Sequence, residues 1–263
     1  MIRVDNLTKT FKAFEAVKGI SFHVAPGEIF AFLGPNGAGK TTTIKMLTTI
    51  LRPSSGTVML DGLDPEHHKM AARKKFGIVF QDSSLDGEQT AYENMEMHGV
   101  LYHMPKKVRA ERIERMLTTF ELWDRRKDYV KKFSGGMKRR LEIARGLMHS
   151  PKILFLDEPT LGLDPQSRNQ LWTHVKHLNE TENTTIFLTT HHLDEADRVA
   201  HRIGIMDHGL LIAQGTSAEL KEQTNTSTLE DAFLALTGSS LRDEDASSTD
   251  QLRDYAQIQG SIK

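Results

Sequence analysis

Eight consecutive residues, Gly34-Pro35-Asn36-Gly37-Ala38-Gly39-Lys40-Thr41, have the types and spacing to hold phosphate. They follow the apolar run Ile29-Phe30-Ala31-Phe32-Leu33 and precede Thr42 to Leu51, which has the pattern of a helix. A glycine-rich turn between strand and helix lets backbone N–H groups converge on phosphate oxygens, and the helix N-terminus favours an anion. Lys40 would reach the outer phosphates of a nucleoside triphosphate, and the Thr41 hydroxyl would ligate Mg2+. Gly34, Asn36, Gly37, Ala38, Gly39, Lys40, Thr41 and Thr42 are therefore the candidate phosphate-binding residues. The spacing is not G-x-G-x-x-G, which disfavours a dinucleotide site.

A second apolar run, Ile153-Leu154-Phe155-Leu156, ends in Asp157-Glu158. It reads as a buried parallel strand with two carboxylates at its C-terminal edge, where α/β proteins place their sites. Beside a P-loop, Asp157 fits the residue that holds Mg2+, and Glu158 fits the residue that polarises an attacking water. The chemistry expected is phosphoryl transfer to water.

A third segment, Phe133-Ser134-Gly135-Gly136-Met137, opens a helical pattern with apolar Met137, Leu141, Ala144 and Leu147-Met148. Ser-Gly-Gly at a helix start exposes N–H donors and a hydroxyl, a second anion site. Alone it is an ordinary helix-entry turn; upstream of the acidic strand it carries more weight. The ensemble resembles the ATP-binding subunit of an ABC transporter.

That resemblance implies an α/β fold: a P-loop NTPase (RecA-like) core, an N-terminal antiparallel β subdomain and an inserted helical subdomain that carries the signature. It implies ATP and Mg2+ as cofactors and a second copy of the chain as partner. In the head-to-tail dimer, Ser134, Gly135 and Gly136 of one copy complete the ATP site begun by the P-loop of the other. Gln81 matches the Q-loop glutamine and joins Thr41 and Asp157 as a metal residue. Leu161-Gly162-Leu163-Asp164 occupies the D-loop position. His191 matches the switch histidine at the γ-phosphate, and Phe11 sits where the family stacks a ring on adenine. The catalytic pair is then Glu158 and His191.

Two departures from the commonest pattern stand out: Met137 in place of a glutamine in the signature, and Leu161-Gly162 where Ser-Ala is usual. They resemble the daunorubicin-resistance branch of multidrug-efflux subunits, which work with separate type-2 ABC permeases. Ser84-Leu85-Asp86, Gln89-Thr90 with Glu93-Asn94, and Thr228 to Phe233 also look like that branch. The implied place is the cytoplasmic face of the cell membrane, held peripherally through the permease. Import ATPases carry nearly the same nucleotide motifs. A soluble ABC-type ATPase of translation or DNA maintenance is disfavoured by the single cassette and the lack of sustained heptads. A non-hydrolysing P-loop protein is disfavoured by Glu158 with His191.

Composition agrees. The 263 residues carry a net charge of −1, so no global basic field argues for nucleic acid. The local groups Lys74-Lys75, Arg125-Arg126-Lys127, Lys131-Lys132 and Lys138-Arg139-Arg140 read as solvated faces or phosphate-adjacent edges. The chain has no cysteine, hence no disulfide and no thiolate site. No apolar run approaches the roughly 20 residues of a spanning helix. Met1 to Asp5 does not read as a secretory leader. His174 and His177 have no carboxylate pattern that would complete a metal site.

The elements that must position these residues follow from periodicity. Met1 to Val4, Ile20 to Val24, Ile29 to Leu33 and Thr57 to Leu60 read as strands, with Pro26-Gly27 as a turn. From about 82 to 150 the pattern is helical, with Ile113, Met116, Leu117 and Phe120 on one face. Residues 1–222 are expected to form the nucleotide-binding domain. Residues 223–263 are expected to form a short helix, capped by Thr228 and ended by Gly238, and then a mobile polar tail over Ser239 to Asp250.

Overall fold

The computed structural model describes residues 1–238; the expected tail from Ser239 lies outside them. Two sheets make the frame. Strands β1 (Ile2–Phe11), β2 (Phe14–Val24) and β4 (Ser55–Leu60) form an antiparallel sheet in the order β2-β1-β4. Strands β3 (Ile29–Leu33), β5 (Phe76–Val79), β6 (Ile153–Asp157), β7 (Thr185–Thr190), β8 (Arg202–Asp207) and β9 (Leu210–Gly215) form the second, in the order β5-β6-β7-β3-β8-β9. All its pairings are parallel except β8 with β9.

The central strands are buried on both faces, and alternation assigns each face its own kind of side chain. Phe30, Phe32, Phe155 and Phe187 point towards the antiparallel sheet, where Phe22 of β2 meets them. Phe22 stacks on Phe30 with centroids 5.6 Å apart and planes 8° apart. Ile29, Ala31, Leu33, Leu154, Leu156, Ile186 and Leu188 point the other way, into an aliphatic core shared with the helices. Ring-on-ring packing thus joins the two sheets, and small branched side chains seat the helices.

Between β5 and β6 lie the helices α3 (Ala91–Leu101), α4 (Lys106–Thr119) and α5 (Gly135–Gly146). Ile113, Met116, Leu117 and Phe120 are all fully buried, as their spacing requires. Helix α1 (Lys40–Leu47) follows the P-loop and starts two residues earlier than its sequence pattern suggests. β1 runs well beyond Val4. Its outer half is polar, but it lies between two partner strands, and pairing on both edges sustains it.

The short helix α2 (Lys69–Arg73) precedes β5, α6 (Pro165–Glu182) follows β6, α7 (Leu193–Val199) follows β7, and α8 (Ser217–Thr224) precedes α9 (Leu229–Thr237). Thr228 caps α9 by accepting the Asp231 amide, and Gly238 ends it at φ 70. Asp231 Oδ2 accepts a hydrogen bond from the Thr228 hydroxyl (2.6 Å), so the side chain of the third helical residue bonds the cap hydroxyl rather than the cap amide.

Candidate functional site

Sheet order brings the chemistry together. β6, β7 and β3 are neighbours, so the segments leaving their C-terminal ends emerge side by side. They carry Asp157 with Glu158, then His191, then the loop 34–39. Gly37 and Gly39 have φ of 81° and 105°, and space is open around Gly37 where a side chain would stand. Asn36 and Gly37 are exposed while Lys40 is buried. The N-cap of α1 is Gly39, which supplies no side-chain acceptor, so the first-turn amides of Lys40, Thr41 and Thr42 face the loop. This cradle fits a chain of phosphates.

Lys40 Nζ donates to the carbonyls of Gly34 (2.6 Å) and Pro35 (3.2 Å) and lies 3.4 Å from Glu158 Oε1. His191 Nδ1 is 2.8 Å from Glu158 Oε2. Thr41 Oγ1 donates to Asp157 Oδ1 (3.2 Å), which also accepts from Thr189 Oγ1 (2.6 Å). Glu158 stands at φ 46, and its amide donates to the carbonyl and hydroxyl of Thr189.

Burial governs the electrostatics. It lowers the Lys40 pKa, an effect that Glu158 and Asp157 only partly offset. It raises the Asp157 carboxyl, and the hydrogen bond from Thr189 offsets part of that. Burial also acts upward on Glu158, but the hydrogen bond from His191 and the charge of Lys40 together outweigh it, and the carboxyl ends below its ordinary value. The result is one ionised carboxylate held between Lys40 and His191 and one carboxyl that would gain from a cation. The Thr41 and Asp157 oxygens suit Mg2+, which takes one or two protein oxygens and completes its shell with phosphate and water. Among the described residues no cluster of three His, Cys, Asp or Glu side chains could hold a metal alone.

Other sequence candidates lie apart. Gln81 is exposed just past β5, and no hydrogen bond joins it to Thr41 or Asp157. Phe11 faces Phe14 across the β1–β2 turn, 40% exposed, with Lys9 Nζ 5.1 Å from its ring centroid. The Ala16 carbonyl, two residues into the returning strand, would meet a side chain at Gly39, so this hairpin runs beside the P-loop. Ser134 caps α5 by accepting the Met137 amide (3.2 Å). Ser134 and Gly135 are exposed, whereas Gly136 is buried, and a Cβ there would stand 2.5 Å from Ser167 Oγ. No hydrogen bond links this segment to loop 34–39 within the chain.

Sequence reasoning missed two residues. Thr189 was visible only as the polar end of an apolar strand. Arg139, grouped by sequence with a solvated basic face, is buried; its i, i+3 spacing to Glu142 was the available signal.

Comparison with known proteins agrees with this geometry. The profile of the ABC transporter family matches residues 17–161. The chain belongs to the ABC transporter family. It is 43% identical over 228 residues to the daunorubicin/doxorubicin resistance ATP-binding protein DrrA of Streptomyces peucetius, covering 87% of this chain and 69% of that one. Its fold superposes on a solved ATP-binding subunit of an ABC transporter with TM-score 0.81 and 27% identity, covering 90% of this chain and 99% of the other. A dimeric post-hydrolysis form of the ATP-binding cassette MJ0796, bound to ADP and Pi, matches with TM-score 0.74 and 28% identity over 82% of this chain and 98% of that one. The cassette thus shares family and fold with proteins that bind and hydrolyse ATP.

Proposed function

We propose that this cassette binds and hydrolyses ATP to power export of a substrate (drug, antibiotic, lipid or polysaccharide) through a separate membrane permease. The observation that carries the reading is the buried Lys40–Glu158–His191 cluster beside Thr41 and Asp157, in a chain of this family. Loop 34–39 and the first turn of α1 receive the phosphates of ATP. Lys40 leaves Glu158 for the outer phosphates, and Glu158 is then free to accept a proton from the attacking water. His191 orients that carboxylate and meets the γ-phosphate. Thr41 and Asp157, with Gln81, would hold Mg2+, which would supply charge neutralisation at the phosphate oxygens. Phe11 supplies the face for adenine.

No helix among the described residues is long and apolar enough to cross a membrane. The proposed partner is a type-2 permease, with the cassette held at the cytoplasmic face. The docking surface proposed is the groove beside α3. Met95 belongs to the core, and Leu85 with Tyr92 is half-buried. The exposed apolar side chains there are Met97 and Val100, bordered by Glu88, Gln89, Glu93, Glu96 and Tyr129.

The deciding experiment measures ATP turnover and nucleotide binding of Glu158→Gln and Lys40→Ala. Glu158→Gln keeps ATP binding and loses about 100-fold or more in kcat, so an ATP-bound dimer accumulates. Lys40→Ala weakens nucleotide binding itself. Near-normal turnover in folded Glu158→Gln removes Glu158 from the reaction.

A further inference from the structure

Arg139 uses every N–H donor it has inside the protein. Nε donates to the Pro159 carbonyl (2.8 Å), and Nη2 donates to the carbonyls of Asp157 (2.9 Å) and Glu158 (3.1 Å). Nη1 donates to the Phe80 carbonyl and to Glu142 Oε2, the latter at 3.0 Å. A guanidinium has five donors in a fixed planar fork, and each finds an acceptor. Four acceptors are main-chain carbonyls where β5 and β6 end, and the Glu158 carbonyl accepts the Leu161 amide as well.

Glu158 occupies the left-handed region at φ 46, as do ten other non-glycine residues among the described ones, and that region disfavours a residue with a side chain. Its amide is tied to Thr189 on β7, and its carbonyl accepts from Arg139 on α5 and from the Leu161 amide (3.2 Å) of the turn that follows. Backbone direction decides where the carboxylate points, so these ties bear on its position, and Arg139 is the one that comes from α5. Helix α5 also grips the segment around Gln81. Glu142 Oε1 accepts the Ser84 amide (3.1 Å), and Arg145 Nη1 donates to the Ser84 carbonyl (2.8 Å).

We propose that Arg139 is a positioning residue for ATP hydrolysis, which holds the Glu158 backbone in its constrained conformation from the helix that begins at Ser134. The proposal rests on the assignment of Glu158 to water activation. It also gives the signature helix a direct mechanical link to the acid of its own chain. Lysine cannot replace the fork, because one ammonium with three donors cannot span carbonyls on two strand ends.

The test compares Arg139→Lys, Glu158→Gln and the double variant. Rates are expressed per nucleotide-binding site, so that loss of folded protein lowers the site count and leaves the rate per site unchanged. Arg139→Lys is expected to lower kcat roughly 10- to 100-fold, with KM for ATP within about twofold of wild type. In the Glu158→Gln background the same change has no further effect, because no carboxylate remains to be placed. Glu142→Gln, which loosens the clamp and leaves the guanidinium in place, lowers kcat by about 3- to 10-fold under the same non-additivity.

A raised KM with retained kcat in Arg139→Lys overturns the proposal. So does a further tenfold loss in the double variant (about the size of an independent effect), or wild-type kcat in Glu142→Gln if Arg139→Lys yields no folded sites. Normal turnover in Glu158→Gln alone overturns the Glu158 assignment and this proposal with it, whereas the other outcomes overturn only the role of Arg139.

Discussion

Thr189 holds the acidic corner from β7, the strand between the acids of β6 and the P-loop strand β3. Its hydroxyl donates to Asp157 at 2.6 Å and accepts the Glu158 amide at 3.1 Å, so one group orients both acids. Valine has the same shape without the hydroxyl. Thr189→Val leaves the Asp157 carboxylate buried with one donor fewer, and the group drifts further above its ordinary pKa. Groups that orient a metal-binding carboxylate cost about 10- to 100-fold in affinity or activity when removed. The Mg2+ concentration for half-maximal turnover should therefore rise by about tenfold in Thr189→Val, while ATP binding measured in chelator stays unchanged. An unaltered Mg2+ titration would detach Thr189 from the metal. The Lys40–Glu158 pair has a complementary meaning. Both groups are buried, and each satisfies the other until phosphate replaces the carboxylate as the partner of Lys40.

At the scale of elements, helix and sheet meet through polar as well as apolar contacts, and one of these sets a pH dependence. His98 on α3, Tyr102 at its end and His149 past α5 pack together, with the Tyr102 and His149 rings stacked 3.8 Å apart. His149 Nε2–H donates to the Phe76 carbonyl. Burial pushes the two histidines down to about 3 and about 4. The folded state keeps both neutral, whereas the unfolded chain protonates them below its ordinary value of 6.5. Below that pH the unfolded state binds more protons, so stability falls as pH drops from 6.5 towards 4. At pH 5 the loss is on the order of 1–2 kcal/mol for each histidine. Urea unfolding at pH 7 and pH 5 should show a shallower acid loss in His98→Phe with His149→Phe; an equal loss places the sensitivity elsewhere.

Much at this scale was legible in the sequence. Apolar runs ending in Asp157-Glu158 or Thr190-His191 announced doubly buried strands with chemistry at one edge, and the 113–120 spacing announced a buried helix face. Arg139 was not legible. Four of its five partners are main-chain carbonyls distant in sequence, which carry no residue-type signal; only the spacing to Glu142 hinted at burial, and the neighbours Lys138 and Arg140 disguise it as surface. Met95 lies too close to the half-buried Tyr92 for sequence alone to separate core from groove. The need for glycine at 136 comes from Ser167, a contact that only the packing of α5 against α6 creates.

At the scale of the whole molecule, the chain carries two halves of a site that do not meet. Lys40 is buried beside Glu158 on α1, whereas Ser134 and Gly135 are exposed at the start of α5, with no hydrogen bond between the two segments. Exposed N–H donors at a helix start favour an anion, and in the proposed head-to-tail dimer the nucleotide held by the second copy would meet them at each of two equivalent sites. This geometry makes a complementation test decisive. Ser134→Arg still binds ATP through its own P-loop but cannot close the dimer. Lys40→Ala keeps an intact signature on a failed P-loop. Each variant alone has no complete composite site. In a mixed dimer, the P-loop of the first meets the signature of the second, and one site is whole while the other carries both defects. An equal mixture should then recover about a quarter of wild-type turnover, because half of the dimers are mixed and each has one site of two. Recovery rising with the product of the two concentrations identifies the mixed dimer as the active species. Turnover by Ser134→Arg alone at the wild-type rate, or no recovery on mixing two folded variants, rules out a site shared between copies.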